Sequence, residues 1–148
     1  MQDQQIQVLE TSFGEIAAVR DQAAALFYER LFAHDPALRA MFGQADMRAQ
    51  GQKLMAALGF VVAGLRRPDG VVPVLEHLAV RHLDYGVADR HYATVGAALI
   101  ETLALYFGAR FTPEMRAAWA GAYGMVSTIM RNAAARELAV RAQMKAAV

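Results

Sequence analysis

His82 lies at the end of an apolar stripe, where a side chain without polar atoms is expected. Val71, Val74, Leu75, Leu78 and His82 fall at i, i+3, i+4, i+7 and i+11, the spacing of one helix face. A buried imidazole needs a partner for each ring nitrogen. A core histidine bonded to nearby backbone meets that need. So does a metal ligand, with one nitrogen on the metal and the other donating to the Leu78 carbonyl one turn back. Tyr28 ends its ring in a hydroxyl on the stripe Ala24, Phe27, Tyr28 and Leu31. Gln50 sits at the edge of the face formed by Met47, Leu54, Leu58, Val61 and Leu65. Tyr28 alone fits a core tyrosine with its hydroxyl at the surface, and Gln50 alone a solvated edge residue. Three polar groups on three inward faces of one small domain are much less expected by chance. The other histidines look ordinary: His77 points off the stripe, His34 ends a helix, and His91 follows Asp89 within one turn.

Helices must position these groups, because helical periodicity runs almost end to end and no segment alternates like a strand. Starts are read at Thr11-Ser12, Asp35-Pro36, Asp89 and Thr112-Pro113-Glu114, where a small polar cap or a proline suits the exposed amides of a first turn. Stops are read at Pro68-Asp69-Gly70, Tyr85-Gly86 and Gly108. The expected helices run over roughly 4–19, 21–34, 36–42, 47–66, 71–83, 90–107 and 113–138. Residues 139–148 either extend the last helix or fray. Two further stripes complete the core: Tyr92, Val95, Leu99, Leu103 and Tyr106, then Met115, Trp119, Ala122, Val126 and Ile129. The reading is an all-α chain of about seven helices forming a single domain over 1–148.

Composition excludes several classes of function. The 148 residues can bury a sizeable core, and 56% of them are hydrophobic, enough to suggest an internal apolar cavity. Without cysteine there is no disulfide, thiolate nucleophile or zinc-thiolate site. A net charge of +1 gives no case for nucleic acid or an acidic membrane surface. Met1-Gln2-Asp3-Gln4-Gln5 lacks the basic start of a signal peptide, and the apolar run from Leu54 to Leu65 is too short to span a bilayer. The expectation is a soluble, cytoplasmic protein without membrane insertion.

Six pieces in order carry a resemblance: Leu26-Phe27-Tyr28-Glu29-Arg30-Leu31-Phe32, Pro36 with Met41-Phe42, Gln50-Gly51-Gln52-Lys53-Leu54, Arg81-His82 with Tyr85-Gly86-Val87, Tyr92-Ala93-Thr94-Val95-Gly96, and Ala118-Trp119 with Ala122-Tyr123-Gly124. From about Leu9 to Met130 the chain resembles the globins, specifically the single-domain bacterial type related to the haem domain of flavohaemoglobins. The resemblance implies a globin fold around haem b (iron protoporphyrin IX). Matched residue by residue, His82 is the proximal iron ligand, Phe42 wedges the porphyrin, and Tyr28 with Gln50 forms the distal pair that hydrogen-bonds the bound gas. Leu54 lies over the iron, Val87 and Val95 line the pocket, and Tyr92 lies beside the proximal histidine. Lys53 and Arg81 meet the propionates, a role that solvated cations would mimic. Gln52 is the competing distal candidate. Gln50 is preferred because Gln52 points away from the apolar face, and Gly51 suits a close helix crossing.

One departure bears on activity. Flavohaemoglobins carry a glutamate in the last helix that, with the tyrosine matched by Tyr92, makes the proximal histidine electron-rich. Ala133 and Ala134 occupy that region here, and Glu137 lies about one turn later. The push of electron density toward iron is then weaker. The expected function is reversible binding of O2, CO and NO, with nitric oxide dioxygenation if an external, unidentified reductase supplies electrons. The alternative is a haem-based gas sensor or a ligand store without turnover. Either form is compatible with a monomer or a homodimer.

Overall fold

The computed structural model describes residues 1–147 and contains seven α-helices and no strand among them. They are α1 (Asp3–Ala18), α2 (Arg20–His34), α3 (Leu38–Phe42), α4 (Met47–Gly64), α5 (Val72–Asp84), α6 (His91–Phe107) and α7 (Pro113–Ala147). Single turns of 3-10 helix, Pro68–Gly70 and Gly108–Arg110, lead into α5 and out of α6.

The helix ends follow local chemistry. Asp46 caps α4 by accepting from the amides of Arg48 and Ala49, and the Thr112 hydroxyl accepts from Met115 at the start of α7. Gly86, at φ +90°, lets the chain turn sharply after α5, and the Val87 amide closes back on the His82 carbonyl at 3.0 Å.

Several sequence expectations need correction. Thr11-Ser12 does not start a helix but lies in the middle of α1. The Ser12 hydroxyl donates to the Val8 carbonyl at 2.6 Å and accepts from the Trp119 indole N–H at 2.9 Å, so it joins α1 to α7. Asp89 does not cap α6, because its carboxylate forms a two-pronged pair with Arg131. No side chain caps α6; the His91 ring braces the preceding turn, with Nδ1 accepting the Ala88 amide at 2.8 Å. Pro36 and Ala37 form a turn before α3, where the Asp35 carboxylate accepts the Ala37 amide. The final helix runs unbroken for 35 residues to Ala147, which settles the tail as an extension; Val148 lies outside the described residues.

α2 lies against α4 and α6, α1 against α4 and α7, and α7 against α6 and α5. The α2–α4 crossing is tight: a Cβ on Gly51 would come within 2.8 Å of the Ala24 Cβ, so glycine is required there. α5 packs chiefly on α7 and on the turn before it. Its buried line runs through Val71, Leu75 and Ala79, while Val74 is 41% exposed. The face toward α7 is thus rotated from the expected stripe toward Ala79, leaving Leu78 and His82 half-buried at its edge. The stretch His91–Arg110 is long and apolar enough to cross a membrane. Here it is a core helix, with Ala98, Leu99, Thr102, Leu103 and Phe107 buried.

Candidate functional site

α2 delivers Tyr28 into an aromatic nest. Its ring meets Phe27 edge-on at 5.1 Å between centroids, Phe42 edge-on at 5.4 Å, and stacks on Phe32 at 6.1 Å. Phe32 also meets Phe42 at 5.5 Å. The sequence reading gave Phe32 no role; its place one turn after Tyr28 was the available signal. Burial raises the pKa of the Tyr28 hydroxyl above the usual phenol value, and the Gln50 side chain beside it draws it partly back. The hydroxyl is therefore a protonated donor at neutral pH.

That proximity accords with Gln50, rather than Gln52, as the distal candidate on α4. Gln50 is half-buried and next to Tyr28, whereas Gln52 is exposed on a surface groove with Phe13, Ala17, Arg20, Met55 and Ala56. Leu54, one turn after Gln50, is half-buried against the core, as are Phe42, Val87 and Val95. Lys53 and Arg81 stand exposed, and Arg81 donates to the Tyr85 hydroxyl at 3.2 Å.

His82 is built differently from the other histidines. Its Nδ1 lies 2.7 Å from the Leu78 carbonyl. A carbonyl only accepts, so Nδ1 carries the proton, and in the neutral ring Nε2 keeps a bare lone pair. Burial lowers the His82 pKa; the Leu78 bond opposes this and the neighbouring Arg81 charge adds to it. The ring is neutral at pH 7. By contrast, His77 is exposed, His34 pairs with Glu101 at 3.0 Å, and His91 Nδ1 accepts the Ala88 amide.

The region beside α5 is held by α6 and α7. Tyr92 is buried, with its hydroxyl pKa raised by burial and by nearby Asp89. Its carbonyl accepts from the Tyr123 hydroxyl at 2.5 Å. Gly96 makes room for that ring, since a Cβ there would lie 2.7 Å from it. Sequence reasoning missed this bond, although the bare glycine one turn after Tyr92 was its trace. Ala133 and Ala134 are buried, and the Glu137 carboxylate accepts from Arg141 at 3.0 Å.

Comparison with known proteins places these helices. The globin family model matches residues 25–130. The chain belongs to the globin family. Curated relatives include flavohemoproteins from Bordetella parapertussis, 34% identical over 106 residues, and from Rhodopirellula baltica, 31% identical over 116. These alignments cover 70% and 77% of this globin but only 26% and 28% of the relatives, so the chain spans about a quarter of their length. A bacterial globin of known structure from Campylobacter jejuni superimposes with a TM-score of 0.83, covering 93% of this chain and 99% of that one at 19% identity. That likeness establishes the fold. Family membership implies a haem cofactor and small gas ligands.

The residues present fit such a group. His82 offers a neutral nitrogen with a free lone pair, already oriented by a backbone carbonyl. Gln50 and Leu54 on α4, and Leu78 and His82 on α5, are half-buried.

Proposed function

We propose that this globin holds haem b through His82 Nε2 and binds O2, CO and NO reversibly beside Tyr28 and Gln50, converting nitric oxide to nitrate when a separate reductase supplies electrons. The observation that carries the reading is the His82 Nδ1 bond to Leu78, because it fixes the tautomer whose other nitrogen can bind a metal. Haem, when bound, supplies a ferrous iron that takes up a diatomic gas and the one electron that joins O2 and NO as nitrate.

The chain's own residues do the rest. Tyr28 donates a hydrogen bond to the partial negative charge on the held gas, and the Gln50 amide gives a second, at about 1.5–3 kcal/mol each. Phe27, Leu54, Phe42, Val95 and Leu99 keep water and protons away. When the group is bound, Phe42, Val87 and Tyr92 would pack against it, and Lys53 and Arg81 would pair with its carboxylates from the surface. Gln50→Leu should speed oxygen release by roughly tenfold, the equivalent of about 1.4 kcal/mol, with Gln52→Leu leaving it unchanged in stopped-flow. A large effect at Gln52 alone would reverse the distal assignment.

The electron consumed in each cycle must be replaced, and a chain without cysteine has no thiol pair to supply it. Oxygenated protein mixed with nitric oxide should therefore give one equivalent of nitrate, with turnover only after a reductase or artificial reductant is added. Catalytic consumption of nitric oxide with NADH alone would overturn the dependence on a reductase. A gas store or sensor is the second reading, favoured by buried Ala133 and Ala134 where flavohaemoglobins carry a carboxylate. Failure of the oxygenated protein to react with nitric oxide would select it.

A further inference from the structure

A surface groove of about 300 Å³ lies where α1 passes α4 and the chain enters α2. Phe13, Ala17, Met55 and Ala56 form its apolar walls, and Arg20 and Gln52 are the two polar residues that line it. The Phe13 ring rests on Gly59, where a Cβ would stand 3.3 Å away, so α4 gives the ring a flat seat. Met55 is buried beneath the groove, and Ala17 and Ala56 bring only methyl groups to it.

The fold leaves both polar residues free. Arg48, Arg66 and Arg110 each hold an acidic partner: Asp21, the pair Asp3 and Glu10, and Glu15. Arg20 is exposed and holds none among the described residues, because the neighbouring Asp21 carboxylate is turned to Arg48. Gln52 is likewise exposed, with its amide unpartnered among the described residues. A cation and an amide, both unclaimed, thus border one apolar trough.

That combination selects its occupant. A guanidinium presents a planar fork of donors that matches a single carboxylate, and the Gln52 amide adds one donor more. A polyphosphate or a nucleic acid needs several cations, and this groove has one. The walls contribute only if an apolar chain leaves water against them. The space is about ten times the roughly 30 Å³ of one water, which suits a chain of roughly eight to ten carbons and not a two-chain lipid. A partner helix, about 10–12 Å across with its side chains, is too thick for it.

We propose that the α1–α4 groove binds a free medium-chain carboxylate, with Arg20 and Gln52 on the carboxylate and the alkyl chain along Phe13, Ala17, Met55 and Ala56. The site is independent of the haem reading. Decanoate, below the concentration at which it forms micelles, is the probe. Isothermal titration of the full chain should give one equivalent, with decanol, which lacks the charge, about tenfold weaker. Acetate, which lacks the chain, should not bind. Arg20→Gln removes a side chain that ties nothing in the fold, and it should weaken decanoate about tenfold while leaving decanol unchanged. Ala56→Glu, at an exposed position, should abolish decanoate binding by setting a like charge in the trough. Amide NMR shifts caused by decanoate should fall on residues 13–20 and 52–56. Shifts centred on Tyr28 and His82 instead would place the chain in the proposed gas pocket and overturn the groove. Equal affinity for decanoate and decanol, or indifference to Arg20→Gln, overturns the carboxylate assignment. Sedimentation with phosphatidylglycerol vesicles that depends on Arg20, without any binding of decanoate, would assign the groove to a membrane surface and overturn the free ligand.

Discussion

His82→Ala should yield protein without stoichiometric haem. The expectation follows from geometry, since no other histidine offers the same nitrogen. The His82 Nδ1 proton is committed to Leu78, which orients the ring and leaves Nε2 bare. His77 is exposed, the His34 ring is paired with Glu101, and His91 is buried with Nδ1 taken by the Ala88 amide. Replacement by alanine removes the pre-oriented imidazole on the edge of α5 and leaves space in which a free imidazole can bind. Reconstitution followed by gel filtration should recover haem at well below one equivalent, and added imidazole should restore the Soret band. An unchanged reduced spectrum in the variant would transfer the ligand role to another histidine and overturn the assignment.

The second large effect is at Tyr28. Tyr28→Phe should speed oxygen dissociation roughly ten- to a hundredfold, the factor for losing about 1.5–3 kcal/mol of hydrogen bonding to a charged acceptor. Phenylalanine keeps the ring contacts with Phe27, Phe32 and Phe42, so the substitution tests the hydroxyl and not the packing. Burial holds the Tyr28 pKa above the usual phenol range, so the group remains a donor throughout the accessible pH range. Stopped-flow displacement of oxygen by carbon monoxide measures the rate. A rate equal to that of the unmodified protein would remove Tyr28 from the distal pair.

The fold was legible because helical periodicity and its punctuation agree over most of the chain. Gly86 and Gly108 mark turns where the structure has positive φ, and Gly51 marks the crossing where α2 and α4 nearly touch. The errors arose where a side chain serves a distant partner. Ser12 resembles a helix cap until Trp119, 107 residues later, claims its oxygen. Asp89 resembles a cap until Arg131 reaches it from α7. Val74 fits the stripe by spacing, but tertiary packing turns α5 toward Ala79 and leaves it outside. The candidate site was read from types and order: a histidine ending an apolar face, a tyrosine and a glutamine on others. The joining contacts, Tyr28 with Gln50 and Tyr123 with Tyr92, depend on helix placement that local periodicity does not encode.

The way α5 is attached has a thermodynamic consequence. Within its 13 residues it buries only Leu75 and Ala79, whereas α6 buries seven. Its other ties to α7 include the surface pairs Arg136–Glu76 and Arg141–Asp84, which contribute little singly. Local opening free energy scales with such burial, so the segment that carries His82 should open more readily than α6. In the cofactor-free protein its amides should exchange with deuterium well before those of α6, and loading should slow them selectively. Order in α5 and occupancy of the site then form one coupled equilibrium, and a surface substitution that loosens α5 would shorten cofactor residence without touching a single pocket residue.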